Sequence, residues 1–104
     1  MKTVFILLIL LSSNSYAHLC DRYQEGEYYS ALTKLASHIN TNYQDICTRE
    51  DILDIEIAPS QIITNQGEVI PHLRISFHKA YSTCQYFLSR RDFSLTKMNC
   101  YDTW

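Results

Sequence analysis

Three apolar patterns follow one another along this 104-residue chain. The first is an unbroken run from Val4 to Leu11, entered through Met1-Lys2 and left through Ser12, Ser13, Asn14, Ser15, Tyr16 and Ala17. A basic start, a short apolar middle and small residues at Ser15 and Ala17, three and one before a cut, have the form of a secretory signal peptide. The run is too short to cross a bilayer, which takes about 20 apolar residues. The pattern predicts a signal peptide over 1–17 and a single exported domain over 18–104, with no membrane span once the leader is removed.

The second pattern has a helical period. Between Gln24 and Tyr43, apolar side chains fall at Tyr28, Leu32, Leu35, Ala36, Ile39 and Tyr43. This stripe predicts one amphipathic helix. Lys34, Ser37, His38 and Thr41 lie on its other side, Gly26 blurs its first turn, and Asn40 and Asn42 suit its end.

After Cys47 the period becomes two. Leu53, Ile55 and Ile57 alternate with Asp54 and Glu56, the signature of a half-buried strand, and Pro59 marks that strand as an edge or a bulge. Asn65-Gln66-Gly67-Glu68 reads as a hairpin turn, with a glycine available for positive φ. The return strand places Leu73, Ile75 and Phe77 on one side and His72, Arg74, Ser76 and His78 on the other. Centring the hairpin on Gln66 sets Asp54 opposite His78 and Glu56 opposite Ser76. Two further strands follow around Cys84–Leu88 and Phe93–Thr96. Met98 and Cys100 change parity relative to Phe93 and Leu95, so a bulge is expected near Lys97. The predicted fold is α+β: one N-terminal amphipathic helix packed on a three- to four-stranded antiparallel sheet and stapled by disulfides. The helix stripe and the odd-numbered face from Leu53 to Phe77 are expected to bury each other.

Cysteine usage strengthens the reading of export. An 87-residue mature domain buries only about 60% of its unfolded surface, so its core alone is marginal. Cys20, Cys47, Cys84 and Cys100 all lie beyond the predicted cut, an even number in a short exported chain, and are expected to form two disulfides. Their spacings contain no C-x-x-C pair of the zinc type. A helix from Gln24 to Tyr43 would be about 30 Å long, whereas bridged Cα atoms lie within about 7 Å. Cys20–Cys47 is therefore disfavoured unless the leading segment folds back past Gly26. Cys47–Cys84 with Cys20–Cys100 is the expected pairing, each bond fastening one helix end to the sheet.

Charge narrows the partners. Of 9 basic residues Lys2 lies in the leader, which leaves 8 against 11 acidic ones and a mature net charge of −3. A mildly acidic domain argues against nucleic acid or anionic membrane as the main partner. No cofactor motif is present. No metal site is predicted: the histidines lack H-x-x-x-H spacing, and His72 and His78 would lie about 20 Å apart along one strand. Asp21, Glu25 and Glu27 form no calcium loop. The chain has no N-x-S/T sequon, consistent with a bacterial route of export, periplasmic or secreted.

Two candidate surfaces remain. The even-numbered sheet face carries Asp54, Glu56, His72, Arg74 and His78. An exposed sheet bearing Glu, Arg and His is similar in outline to small secreted microbial ribonucleases. That resemblance implies Glu56 as general base, His78 as general acid and Arg74 stabilising phosphorane charge. Those enzymes have binding loops rich in glycine and asparagine, and this chain has two glycines. The outer face of a half-buried sheet must in any case be polar, and opposite charges across strands stabilise it by roughly 0.2–1 kcal/mol. The second surface is aromatic. Seven of the 8 tyrosines follow the leader, and Trp104 closes the chain. Tyrosine and tryptophan are favoured in binding hot spots, which makes Tyr29, Tyr101 and Trp104 the binding candidates.

A helix cradled by an antiparallel sheet also resembles the cystatin shape and that of colicin M immunity proteins. Cystatins inhibit with a Q-x-V-x-G hairpin, from which Gln61-Ile62-Ile63-Thr64-Asn65-Gln66-Gly67 departs. The expectation is a small non-catalytic exported protein that binds another protein as an inhibitor, immunity or accessory factor. The alternatives are a ribonuclease-like hydrolase using Glu56, Arg74 and His78, and a secreted toxin or toxin subunit.

Overall fold

The computed structural model describes residues 17–103. The leader expected over 1–17 lies outside them apart from the backbone of Ala17, and so does Trp104. A 3-10 turn over Ala17–Cys20 leads into helix α1 (Gly26–His38) and the short helix α2 (Tyr43–Cys47). Strands β1 (Asp54–Ile63), β2 (Val69–His78), β3 (Ser82–Ser89) and β4 (Leu95–Asp102) follow. They form one antiparallel sheet in the order β1-β2-β3-β4, an α+β fold with two disulfides.

The helix expected from Gln24 to Tyr43 ends at His38, because Asn40 takes a left-handed conformation at φ 61°, and a new helix begins at Tyr43. Thr41 N–H donates to the Ala36 carbonyl at 2.8 Å, and Asn40 N–H donates to Ser37 at 3.2 Å. This pair of bonds is the Schellman closure, here with asparagine where glycine is commonest. Asn42 then caps α2, its side-chain oxygen accepting from Asp45 N–H at 2.9 Å. Ile39 and Tyr43 sit in phase with the α1 stripe, which is why the sequence pattern ran on past the true end.

That break also corrects the disulfide pairing. The bonds are Cys20–Cys47 and Cys84–Cys100. Gly26 turns the leading segment at φ 82°, α2 doubles the chain back, and the Cα atoms of Cys20 and Cys47 come to 5.4 Å. Cys84 and Cys100 are direct partners across β3 and β4. Each bond closes a loop that restricts the unfolded chain, worth about 3–4 kcal/mol on the loop-entropy account.

The first hairpin has the expected register, with Asp54 opposite His78 and Glu56 opposite Ser76. Its turn is closed by Gly67 N–H to Thr64 O and Thr64 N–H to Glu68 O, both 2.9 Å, with Gly67 at φ 81°. The parity slip in β4 is a bulge: Phe87 pairs with Lys97 but Leu88 pairs with Leu95, leaving Thr96 as the extra residue. Ala31, Leu32, Leu35 and Ala36 of α1, with Ile46 of α2, are buried together with Ile55, Ile57, Leu73, Ile75, Phe77, Tyr86 and Leu88 of the sheet. Full burial of a side chain such as Leu32 or Leu35 stabilises by about 1.5–3 kcal/mol. Leu53 was expected in this layer but is 65% exposed, because it precedes β1 and no described element covers it.

Tyr23 closes the outer edge of β1. Its hydroxyl donates to Ile55 O and accepts from Ile57 N–H, both at 3.2 Å, as a neighbouring strand would. Arg22 Nη2 adds a 2.9 Å bond to Ile55 O. Tyr23 is itself held by Tyr43, whose hydroxyl donates to the Tyr23 carbonyl at 3.1 Å.

Peptide mapping of the non-reduced protein should yield Cys20–Cys47 and Cys84–Cys100 linked peptides. Recovery of a Cys47–Cys84 peptide contradicts the fold described. Tyr23→Phe keeps the buried ring but strands Ile57 N–H, and is expected to cost about 1–3 kcal/mol in urea unfolding. A midpoint equal to that of the wild type would show that the hydroxyl bridge contributes nothing.

Candidate functional site: the open face of the sheet

Both helices lie on one side of the sheet, and no described helix covers the other. Strand pairing arranges that open face in rows. Asp54, His78, Thr83 and Tyr101 form one row; Glu56, Ser76, Gln85 and Asn99 the next; Ala58, Arg74, Phe87 and Lys97 a third.

The structure brings Glu56, Arg74 and His78 together. Glu56 Oε1 lies 3.8 Å from both Arg74 Nη2 and His78 Nε2. These are ion-pair distances, longer than the 2.7–3.2 Å of a hydrogen bond, and the three side chains are partly or well exposed. His78 is oriented from behind, its Nδ1 sitting 3.1 Å from Thr83 Oγ1. An exposed carboxylate, imidazole and guanidinium in this arrangement can exchange protons with, and place positive charge against, a group lying on the sheet.

Ser76 sits at the centre of the cluster, with no exposed surface, and its hydroxyl has no hydrogen-bond partner among the described residues. Long neighbours on all four sides, Arg74, His78, Glu56 and Gln85, close over the short side chain. Arg74 Nε is likewise buried without a partner among the described residues. Asp54 is drawn away towards Arg22, at 3.4 Å.

His72, expected on this exposed face, is 2% exposed and does a structural job. Its Nδ1 lies 2.9 Å from Ile70 O, its Nε2 lies 2.8 Å from Thr96 Oγ1, and Thr96 is also 3.1 Å from Phe87 O. Ile70 O can only accept, so Nδ1 carries a proton. The imidazole thereby clamps the side chain of the bulge residue. Sequence alternation placed His72 on the correct face but gave no sign that the bulge would fold its threonine over it.

The aromatic candidates do not form one surface. Tyr101 stands on the open face opposite Thr83, two rows away from Lys97, whose ammonium lies 5.5 Å from the centre of the Phe87 ring. Tyr29 belongs to a separate cleft of about 290 Å³, lined by Cys20, Gln24, Tyr43, Gln44 and Cys47. There it meets Tyr43 edge-on, with ring centroids 4.9 Å apart. Burial, then the neighbouring Tyr29 and Asp21, raise the Tyr43 phenol above its ordinary value. Trp104 lies outside the described residues. Among the described residues no group of His, Cys, Asp and Glu is arranged to hold a metal ion, and no helix is long and apolar enough to cross a membrane.

No family model, curated protein or solved structure matches this chain.

The two histidines of β2 should therefore separate on substitution. His72→Ala removes the clamp on Thr96 and is expected to destabilise by about 1–3 kcal/mol. His78→Ala, at a partly exposed site, should cost well under 1 kcal/mol. Urea melts of the two variants check this, and equal losses would contradict the division of roles.

Proposed function

We propose that this is an exported protein, its mature chain beginning near His18, that acts by binding another protein through the open face of the sheet. Two disulfides suit an oxidising compartment, secreted or periplasmic. The observation that carries the binding reading is the combination of an uncovered sheet with side chains already held in place. Lys97 lies over Phe87, Arg74 and His78 flank Glu56, and Tyr101 stands in the same row as His78. Partly ordered aromatic and charged groups lose less side-chain freedom when a partner arrives. A partner of this face would present mixed charge, with separate apolar groups for Phe87 and for Tyr101, two rows apart. Inhibitor, immunity and accessory roles all take this form.

The hydrolase reading is favoured by one observation, the meeting of Glu56, Arg74 and His78 around one carboxylate oxygen. The two readings diverge at single residues. With a partner captured by the oxidised protein, Tyr101→Ala should weaken binding by about 30-fold, the equivalent of 2 kcal/mol, in a titration. His78→Ala should leave that affinity within a few-fold. RNA cleavage by the wild type that falls by about 100-fold in His78→Ala would replace the binding reading with the hydrolase one.

A further inference from the structure

The two edges of the sheet are treated differently. The first half of the β1 edge is closed: Tyr23 and Arg22 occupy the backbone groups of Ile55 and Ile57, and Pro59 has no N–H to offer. No described side chain bonds to the outer edge of β4, and Thr96 through Asp102 are exposed on it. An exposed strand of this length with unpaired backbone groups is a template for another strand. Met98, 59% exposed, and Tyr101 add apolar surface to it.

We infer that the occupant of this edge is a second copy of the same chain, paired β4 to β4 about a two-fold axis through Asn99. Antiparallel pairing on that axis sets Lys97 of each copy opposite Tyr101 of the other, on the open face. Met98 comes opposite Cys100 on the helix side, covering the exposed thioether and the Cys84–Cys100 sulfurs. Asn99 meets its own counterpart, and an amide is both donor and acceptor, so like meets like without a penalty. No charge opposes its own sign. Shifting the axis to Cys100 would instead set Met98 against Asp102, an apolar group against a charge.

Geometry permits the approach. The helices cover β1 to β3, and β4 contributes no fully buried side chain, so nothing described overhangs its outer edge. An isologous contact of this kind closes at two copies, because each copy uses the same β4 edge to meet the other. The product is a continuous eight-stranded sheet with one enlarged open face. This inference does not depend on the proposed partner-binding role, because it is read with no partner present.

Sedimentation velocity of the oxidised protein tests it. A dimer is expected, and a species that remains monomeric at about 100 times the micromolar concentration typical of weak self-association overturns the inference. Asn99→Lys places two ammonium groups face to face on the axis and should weaken dimerisation by roughly tenfold or more. Asn99 is exposed, so this variant should keep the wild-type circular dichroism spectrum. Met98→Glu, opposite Cys100, gives a second disruption at a different contact. Gln61→Lys on β1 should leave the dimer unchanged. A dimer indifferent to both β4 substitutions, or one broken by Gln61→Lys, would overturn the assignment to β4. A monomer that instead takes up a strand from another protein would overturn it equally.

Discussion

A single helix is too narrow for the sheet it has to cover. With side chains it is about 10–12 Å across, whereas four strands about 4.8 Å apart set the outer strand axes roughly 14 Å from each other before side chains are counted. α1 and α2 settle over β1, β2 and β3, which contribute all the fully buried sheet residues of the hydrophobic layer. The far strand must be held by other means, and the Cys84–Cys100 bond supplies them by tying β4 to β3 at a directly opposed pair. The covering layer is itself anchored where it begins, because Cys20–Cys47 joins the segment before α1 to the end of α2. The Cys84–Cys100 bond therefore compensates for a place where apolar burial is insufficient, whereas Cys20–Cys47 is itself part of the buried layer.

The same shortage explains why polar side chains do so much of the local work. Tyr23 stands in for a missing fifth strand at the β1 edge, and His72 closes the space beneath the Thr96 bulge. Glu27 receives a bidentate pair from Arg90, at 2.6 and 3.0 Å, linking the first turn of α1 to the loop after β3. A larger domain would meet these demands with more core. Here each is met by one long side chain that reaches across from another element.

Much of this was legible in the sequence because strand alternation is a rigid code. The period of two over Leu53–Phe77 and a glycine turn were enough for the register of the first hairpin, and the parity slip after Leu95 announced the bulge. The helical stripe was less reliable at its end. Ile39 and Tyr43 continued in phase although Asn40 had already turned the chain, and the disulfide pairing inherited that error. Asn40 and Asn42 were visible as stop residues, but the sequence could not say that a new helix starts one residue after the stop. The roles of Tyr23 and His72 depend on contacts across 32 and 24 residues, and no local pattern encodes such a distance. For the candidate site, alternation brought Glu56, Arg74 and His78 to one face, while their closeness to a single oxygen needed the register as well.

Structural demands also help to separate the polar groups that have work inside the fold from those that do not. Tyr23, His72 and Thr96 bond to backbone or to each other, and Thr83 is buried behind His78. None of these explains why Lys97 should lie over Phe87, or why Glu56, Arg74 and His78 should surround a buried serine. Solvation alone would accept almost any polar residues in those rows, with the longer side chains left free in water. Instead Lys97 lies over the Phe87 ring, and Ser76, set among Glu56, Arg74, His78 and Gln85, has no exposed surface. An open sheet face of that kind suits contact with another broad surface better than enclosure of a small molecule, since small-molecule sites are concave and bury most of the ligand. Contact across a broad face is the physical reason for placing the binding reading ahead of the hydrolase one.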